Sequence, residues 1–566
     1  MYTTFITLAI IGLVLLAGYF AFRYLAKHEM SAEPTHIIQS GKDRSWNSPV
    51  FSSFGPFFIK PWLQPGLSGL YSQGNQLDRH ESVQVMFHVL SDKGQRKEFV
   101  VEVELAESGQ KWRVTPDSRL ITIHGVPEQV QFSAKIDNLP PGALFNYRVL
   151  MGGHEIFSAS ARARKGEGDA FRAIIFGDMG NGSPGQRKLA YQLGQPGPAK
   201  PVSTGIAASP RAAEPATAQT SDGELTTDNA ATIPFVKPQG ADLIVTTGDV
   251  VYQHGRFAEY LSKFFSVYQS DVAASDRGAN LLSNTVTVSC VGNHDMAKLD
   301  PETLVSFDDY PDLMAFFALW SLPLNGPNNS KVVNGSGLNL PPLAGDGSAL
   351  RDFLNSAGER YPRMANFAYD YGNAHFLFLD ANSYMDWTDE SMRRWVDDDL
   401  KAVAADKWKI VILHQPPFTS NVGHQREQGM RFLSDIFERN GVNVVFCGHA
   451  HVYERSFPLK FTPDGGIARS AQLEGGFVLG KIVLDKAYDS TAKTKPDGVI
   501  YIVTGGGGAK LDSRALNDYP SAWQPFTHKL VGDRHSFTLA DFGSDRMEVA
   551  QYDSDGNELD RFVITR

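Results

Sequence analysis

Runs of apolar, strand-like residues that end at a polar residue beside glycine recur five times between residues 171 and 451. The five runs are FRAIIFGD, ADLIVTTGD, TVTVSCVGNHD, WKIVILH and VNVVFCGHAH. A buried strand that stops at a polar residue delivers that side chain to the edge of the sheet, where ligands usually bind. The pattern therefore predicts five strands whose ends bring Asp, Asn, His or Tyr side chains to one site.

Helical patterns alternate with these strands after Gly166. Thr388 is placed to cap a helix, and residues 426–440 predict a second helix that ends at Gly441. One face of the first helix carries Met392, Val396, Leu400 and Val403. Residues 498–565 return to strands and complete a second sheet. The alternation predicts an α/β domain.

Alternating strand-like segments without helical patterns occupy the region between residue 51 and about residue 168. The segments are VQVMFHVL, EFVVEVEL, QVQFSAKI and FNYRVLMG. Turn residues such as Pro140-Pro141-Gly142 separate them. Short strands at this spacing predict a small β-sandwich.

The N-terminal segment predicts a membrane anchor. Residues 5–22 contain no charge and are about long enough to cross a bilayer as a helix. A cleaved signal peptide has basic residues before the apolar run and a small-residue cleavage site, and neither is present here. We therefore interpret residues 1–29 as an uncleaved transmembrane anchor and residues 30–50 as a polar linker. Arg23 and Lys27 follow the apolar run and favour a cytoplasmic location for that side, although two charges leave the side open.

Residues 194–238 are rich in Pro, Ala, Thr and Ser and contain few large apolar residues. This composition predicts a disordered insertion within the α/β domain.

Composition is ordinary for a globular protein, at 42% hydrophobic and 20% charged residues over 566 residues. The net charge of −10 argues against a nucleic-acid partner. Only Cys290 and Cys447 are present, each inside a predicted strand, so we interpret them as buried, reduced thiols.

The predicted strand ends offer the ligand types that a pair of metal ions requires. Two neighbouring cations need a carboxylate that touches both, with further oxygen and nitrogen ligands on either side. The candidates are Asp178, Asp249, Tyr252, Asn293, His414, His449 and His451. A free phenol has a pKa of about 10, so Tyr252 binds as phenolate only beside a strongly acidic ion such as ferric iron. Their combination predicts a dinuclear metal site.

The spacing of residues within two of the motifs predicts which candidate ligands bind the same metal. Asp249 and Tyr252, three residues apart at a strand end, are placed to turn toward the same metal. His449 and His451 lie two apart in an extended segment, point to the same side and are placed to serve one metal each. Glycines 505–508 lack the lysine and hydroxyl residue of a phosphate-binding loop and instead predict a turn that brings backbone close to the metals.

The five motifs resemble those of the calcineurin-like metallophosphoesterase superfamily, and the tyrosine of Gly248-Asp249-Val250-Val251-Tyr252 resembles that of the purple acid phosphatases. The resemblance covers essentially all of the chain after residue 51. It implies a four-layer α/β/β/α catalytic domain over residues 169–566, preceded by a fibronectin-III-like β-sandwich over residues 51–168. Leu139-Pro140-Pro141-Gly142 followed by Phe145 resembles a strand connection of that sandwich, with phenylalanine where tyrosine often occurs.

The resemblance also implies a role for each candidate ligand. The positions that bind ferric iron in the family match Asp178, Tyr252 and His451. Those that bind a divalent metal (Fe, Zn or Mn) match Asn293, His414 and His449, and Asp249 matches the ligand that bridges both ions.

Two further histidines match positions that contact substrate in the family. His294 matches a histidine that contacts the phosphate and aids protonation of the leaving group, and Asn293 beside it also belongs to the substrate site. Plant members have a pair of histidines before the Gly-His-x-His motif, and this chain offers only His424 there.

The activity implied is acid phosphatase activity on a phosphorylated small molecule. A metal-bound hydroxide attacks phosphorus, Asp249 and His294 are the catalytic residues, and an acidic pH optimum is expected. Two alternatives stay open: a phosphodiesterase or nucleotide-cleaving enzyme on the same scaffold, and a membrane-tethered binding or adhesion module. Since purple acid phosphatases are usually exported, the resemblance favours a single-pass membrane protein with an extracytoplasmic catalytic domain.

Overall fold

The computed structural model describes nine stretches of the chain. They are residues 56–66, 81–91, 98–195, 240–296, 306–327, 343–345, 347–473, 476–512 and 514–566. The predicted anchor (1–29), the linker (30–50) and nearly all of the predicted insertion (194–238) lie outside these residues. Within the nine stretches, no helix combines the length and the apolar character that crossing a membrane requires.

The N-terminal strands form two four-stranded antiparallel sheets. The strands are β1 (Ile59–Gln64), β2 (Glu81–Leu90), β3 (Phe99–Leu105), β4 (Lys111–Val114), β5 (Asp117–Ile121), β6 (Gln129–Leu139), β7 (Leu144–Met151) and β8 (His154–Arg162). One sheet has the order β1-β2-β6-β5 and the other the order β4-β3-β7-β8. Phe87 of β2 meets Phe99 of β3 across the two sheets, with ring centroids 5.3 Å apart. The predicted β-sandwich is therefore present, and its likeness to fibronectin type III stays a prediction.

Near the start of β7, phenylalanine occupies the position where the sandwich motif described above often has tyrosine. Phe145 is fully buried in the sandwich core and has no hydroxyl to hydrogen-bond. Tyr147, two residues further on, is also buried, and its hydroxyl donates to the carbonyl of Ser283 at 2.8 Å. Arg119 of β5 donates to the carbonyl of Ala318 at 2.7 Å. These polar contacts join the sandwich to the α/β part of the same compact unit.

The remaining strands form two large sheets and two hairpins. They are β9 (Phe171–Phe176), β10 (Leu243–Thr246), β11 (Gln269–Ala274), β12 (Gly278–Asn280), β13 (Val286–Ser289), β14 (Phe367–Tyr371), β15 (Ala374–Leu379), β16 (Trp408–Leu413), β17 (Val444–Cys447), β18 (Tyr453–Ser456), β19 (Leu459–Pro463), β20 (Gly480–Leu484), β21 (Ile500–Thr504), β22 (Thr527–Val531), β23 (Ser536–Phe542), β24 (Arg546–Asp553) and β25 (Glu558–Thr565). The sheet orders are β13-β10-β9-β23-β24-β25 and β14-β15-β16-β17-β21-β18-β22, and the hairpins are β11-β12 and β19-β20. The five strands predicted before the polar motifs are confirmed as β9, β10, β13, β16 and β17. The C-terminal strands complete both sheets, where the sequence pattern indicated one.

The described helices are mostly short. They are α1 (Pro184–Leu193), α2 (Phe257–Glu259), α3 (Ser266–Tyr268), α4 (Phe316–Leu319), α5 (Ser348–Ala357), α6 (Arg360–Arg363), α7 (Glu390–Ala402), α8 (Ser434–Arg439) and α9 (Ala515–Asp518). A π-helical segment, Tyr260–Phe265, joins α2 to α3. Single 3₁₀ turns occur at Val422–His424, Gly429–Leu433, Arg469–Ala471 and Pro520–Ala522.

Both predicted helices are present, with corrected starting points. Asp389, one residue after the predicted cap Thr388, accepts from the amides of Ser391 and Met392 and caps α7. Thr388 instead donates its hydroxyl to Asp386 at 2.6 Å.

The second predicted helix, 426–440, begins later and changes type. Its first residues are not helical, a 3₁₀ turn occupies Gly429–Leu433, and only α8 is α-helical. Gly441 has a φ of +68° and follows the helix end, as its conformational freedom predicted.

The two large sheets pack face to face between helices. In β16, Ile410 and Ile412 join the core shared with the six-stranded sheet, whereas Val411 and Leu413 face the other way and pack with Met392, Val396 and Leu400 of α7. This alternation follows from the two-residue period of a strand. On the outer face of the six-stranded sheet, Ile174 and Leu539 share a cavity with Leu193 of α1. The order helix, sheet, sheet, helix agrees with the predicted α/β/β/α arrangement.

Candidate metal centre

The predicted ligands converge at the carboxyl ends of strands from both sheets. Asp178, Asp249 and Asn293 follow β9, β10 and β13, which pair in parallel. His414 and His449 follow β16 and β17, which also pair in parallel. Because parallel strands end at the same edge of a sheet, the facing edges of the two sheets bring these side chains together.

Three of the turns that position the ligands use left-handed backbone at residues other than glycine. The φ angles are +58° at Asp178, +50° at Asp249 and +70° at His449. This conformation costs roughly 1–2 kcal/mol per residue. Hydrogen bonds hold the turns: the amide of His449 donates to the Asp178 carboxylate at 3.0 and 2.9 Å, and the amide of Asp178 donates to the Gly248 carbonyl at 3.1 Å. Local strain of this kind is typical of functional sites.

Asp178, Tyr252 and His451 form one group. The Tyr252 hydroxyl donates to Oδ1 of Asp178 at 3.0 Å and lies 3.1 Å from Nε2 of His451. Nε2 of His451 lies 3.5 Å from the same carboxylate oxygen. These are the three residues that the family resemblance assigns to a ferric ion.

Asn293, His414 and His449 form a second group around Nε2 of His414. That nitrogen lies 3.1 Å from Oδ1 of Asn293, 3.2 Å from Nδ1 of His449 and 3.2 Å from Oδ1 of Asp249. Oδ1 of Asp178 is more distant, 3.9 Å from the same nitrogen. Asp249 therefore contacts the second group, and its charge also acts on Tyr252 of the first. This is the placement expected for a carboxylate shared between two ions.

The donor set fits bound cations. Nδ1 of His414 lies 2.7 Å from the Thr247 carbonyl and Nδ1 of His451 lies 2.6 Å from the Lys510 carbonyl, so each Nδ1 carries the proton in the neutral ring. Nε2 of each ring then presents a lone pair to the centre. For His414 that lone pair faces three acceptor atoms, from Asn293, His449 and Asp249. A metal cation among these atoms would take the place of the proton that Nε2 of His414 otherwise carries between them.

The pKa shifts of the buried groups indicate an excess of negative charge at this site. Burial raises the pKa of Tyr252 well above its ordinary value, and the charges of Asp178 and Asp249 raise it further. Burial lowers the pKa of His414, but the same two carboxylates outweigh it and raise the pKa to about 10. A tyrosinate here needs compensating positive charge, which metal ions supply.

Glycines let the backbone approach the carboxylates closely. A Cβ atom at Gly505 would lie 2.8 Å from Oδ2 of Asp178, and one at Gly448 would lie 2.5 Å from the same atom. The amide of Ala509 donates to the Asp178 carbonyl at 2.8 Å. The prediction that residues 505–508 bring backbone against the site is confirmed.

His294 lies at the edge of the centre. Its amide donates to Oδ1 of Asp249 at 2.9 Å, its Nδ1 lies 2.7 Å from the Gln253 carbonyl, and its Nε2 lies 3.9 Å from Oδ2 of Asp249. The ring packs against Tyr252 with centroids 4.2 Å apart. Its side chain is 12% exposed, so the ring lies at the boundary between the centre and solvent.

His424 contacts the second group from outside. Its ring meets that of His449 with centroids 4.3 Å apart, and its Nε2 lies 3.5 Å from Oδ2 of Asp512. Its predicted contact with substrate stays a prediction.

Three acidic residues around the ligands were not singled out from the sequence. Asp295, fully buried, accepts from the amides of Val250 and Gly292 and so ties two ligand turns together. Asp512 accepts from the amide of His451 at 2.7 Å, and Glu427 contacts Nε2 of His449. Asp295 belongs to the Gly-Asn-His-Asp motif and could have been found there. No local pattern distinguishes Glu427 or Asp512 from solvated acidic residues.

Comparison with known proteins agrees with this geometry. The family model for calcineurin-like phosphoesterase matches residues 171–453, which is half of the chain. Purple acid phosphatase 18 of Arabidopsis thaliana is 33% identical over 95 residues, which cover 16% of this chain and 21% of that protein. Purple acid phosphatase 5 of the same plant is 28% identical over 218 residues, which cover 35% of this chain and 52% of that protein. The matches thus span about a fifth to a half of these relatives.

A solved structure agrees in fold. The purple acid phosphatase PPD1 from seeds of yellow lupin (Lupinus luteus) superposes with a TM-score of 0.53 and 15% sequence identity. The superposition covers 90% of this chain and 75% of that one. Since the matched family model contains all of the strands that position the candidate ligands, the chain belongs to the calcineurin-like phosphoesterase family, and within it resembles the purple acid phosphatases.

Proposed function

We propose that this protein hydrolyses phosphate monoesters at a dinuclear metal centre. The observation that supports this most strongly is the environment of His414, whose Nε2 faces oxygen or nitrogen acceptors from Asn293, Asp249 and His449 at 3.1–3.2 Å. Such a set of nitrogen and oxygen atoms is suited to binding a cation. Phosphate ester hydrolysis is the chemistry for which paired metals and a neighbouring histidine are suited.

Two groups of side chains would hold the ions. Asp178, Tyr252 and His451 would hold a ferric ion, because a tyrosine beside two carboxylates binds best to a strongly acidic metal. The set for a divalent ion (Fe, Zn or Mn) is Asn293, His414 and His449. Asp249 would touch both ions. When bound, the pair supplies Lewis acidity and lowers the pKa of a coordinated water, which favours activity at acidic pH.

His294 would act on the leaving group. Its Nδ1 proton donates to the Gln253 carbonyl, which fixes the ring and directs Nε2 toward the centre beside Asp249. From there Nε2 would contact the bound phosphate and pass a proton to the departing alkoxide.

Replacing Tyr252 with phenylalanine tests the metal assignment. We expect the full-length, detergent-solubilised protein to contain two metals and a visible phenolate-to-iron absorption band, and the Y252F variant to lose that band. Metal content and the visible spectrum are measured on both. Two metals without the band in the wild type would indicate a generic dinuclear phosphoesterase, and phosphodiesters would then be assayed beside monoesters. A wild-type protein without metal would contradict the proposed function.

Replacing His294 with glutamine tests whether this residue protonates the leaving group. We expect kcat to fall by about 10²–10⁴-fold for alkyl phosphates and by less for p-nitrophenyl phosphate, whose leaving group needs no proton. The matched control is His254→Gln, a nearby histidine whose ring packs on Tyr310 with centroids 4.8 Å apart. An equal loss on both substrates in H294Q would contradict a role in leaving-group protonation.

We further propose that residues 5–22 anchor the protein in a membrane with the catalytic domain extracytoplasmic. The uncharged 18-residue run supports this proposal. Recovery of the protein in the membrane fraction after alkaline carbonate washing, with the catalytic domain sensitive to external protease in intact cells, is the expected result.

A further inference from the structure

Glu427 lies on the outer side of His449. Its Oε2 contacts Nε2 of His449. Among the described residues, neither of these two buried atoms makes a hydrogen bond of ordinary geometry, so their contact with each other is a close charge contact. The Glu427 side chain is 41% exposed and that of His449 9% exposed, so the contact lies at the boundary between the centre and solvent.

The loop that carries Glu427 is fixed against the centre. The His424 ring packs on the His449 ring at 4.3 Å between centroids. Asp512 accepts from the side-chain amide of Asn421 at 2.7 Å and from the amide of His451 at 2.7 Å, and lies 3.5 Å from Nε2 of His424. The loop that carries Glu427 and the segment that carries His449 are therefore both held in place. A side chain supported in this way can fix the orientation of its neighbour.

The chemistry of the contact fixes the His449 tautomer. An ionised carboxylate only accepts hydrogen bonds, so Nε2 of His449 must carry the ring proton. Nδ1 then presents its lone pair toward the centre, where it lies 3.2 Å from Nε2 of His414. The opposite tautomer would place a lone pair against the Glu427 carboxylate and a proton where a metal would bind.

We propose that Glu427 is a positioning residue that fixes Nδ1 of His449 as the atom that binds the divalent ion. The metal-binding part of this inference rests on the proposed function, whereas the tautomer part does not. Partners of this kind, beyond the ligands themselves, typically change metal affinity by about 10–100-fold when they are removed.

The first test measures the tautomer in the metal-free, full-length protein. Long-range ¹H–¹⁵N correlation spectra of histidine-labelled protein distinguish protonated from unprotonated ring nitrogens, and the His449 resonances are assigned by their loss in His449→Gln. We expect Nε2 to be protonated in the wild type and in E427Q, whose amide carbonyl still accepts. These spectra are recorded in a His414→Ala background, because a protonated Nε2 of His414 would hold the same His449 tautomer from the other side of the ring. In that background we expect E427A to give a mixture of tautomers. An unchanged Nε2-protonated ring in E427A would overturn the proposal.

The second test measures metal binding. We expect E427A to bind Zn²⁺ roughly 10–100-fold more weakly than the wild type in chelator competition, with the visible iron band unchanged. E427Q is expected to lose less, and the control Arg426→Ala, an exposed neighbour on the same loop, to match the wild type. Wild-type affinity in E427A would overturn the proposal.

A third metal ion bound by the loop of Glu427 would give a different result. The ligand atoms of His424, Glu427 and His449 lie within 4.8 Å of one another and could together hold a cation. Three metals per chain in the wild type, falling to two in E427A, would overturn the positioning role in favour of such a site. A wild-type protein that binds no metal would defeat the proposed function, while the tautomer measurement would still decide the role of Glu427.

Discussion

Replacing Asp249 with asparagine is expected to remove both metal ions and to lower monoester turnover on the order of 10⁴-fold. Asp249 is the carboxylate that lies 3.2 Å from His414 of one ligand group while its charge acts on Tyr252 of the other. An asparagine keeps one oxygen but loses the charge that a shared ligand needs. Metal ions contribute several kcal/mol of charge stabilisation in such reactions, and each factor of ten in rate corresponds to about 1.4 kcal/mol.

Metal content by mass spectrometry and turnover of a monoester check this expectation together. The matched control is Asp380→Asn, a buried aspartate that follows β15 and accepts from the side chain of Asn382 at 2.8 Å. The control is expected to keep both metals. Retention of both ions and of turnover in D249N would show that Asp249 is not shared, and loss of one ion would restrict it to one metal.

Replacing His375 with alanine is expected to destabilise the fold by about 3–5 kcal/mol without changing the metal content. His375 is fully buried in β15 between two carboxylates, with Nδ1 2.7 Å from Asp370 and Nε2 2.8 Å from Asp399 of α7. Lys407 also faces Asp370, at 3.1 Å. Without the histidine, buried Asp399 loses the charged group that hydrogen-bonds to it, while the charge of Lys409 still acts on it.

The pH dependence of this effect has a defined sign. Burial lowers the pKa of His375, but Asp399 and Asp370 outweigh it and raise the pKa to about 10, above the unfolded value of about 6.5. The stabilisation is therefore fully present below about pH 6.5 and is lost as the pH rises through about 10. Urea unfolding of wild type and H375A should differ most at about pH 6 and least above about pH 10. The control is His154→Ala, an exposed histidine of β8. Equal unfolding curves at about pH 6 would contradict the prediction.

Strand positions were predictable because they depend on local patterns. A buried strand such as β16 is an apolar run interrupted only by Lys409, and the polar residue after it, His414, is recognisable in the sequence. Helix starts were less predictable, since the cap of α7 depends on which of Thr388 and Asp389 reaches the free amides. The predicted helix over 426–440 begins late because its first residues form part of the loop that contacts His449.

The sequence by itself determined the type and order of the candidate ligands, because each follows a recognisable strand, and the family resemblance grouped them. Only the tertiary structure decided which residues contact the candidate ligands from outside the centre. Glu427 and Asp512 are distant in sequence from Asp178, and no periodicity marks them. They reach His449 and His451 only because the loops after β16 and β21 close over the edge where the two sheets meet. Contacts of that kind depend on how separate chain segments pack, which no local pattern records.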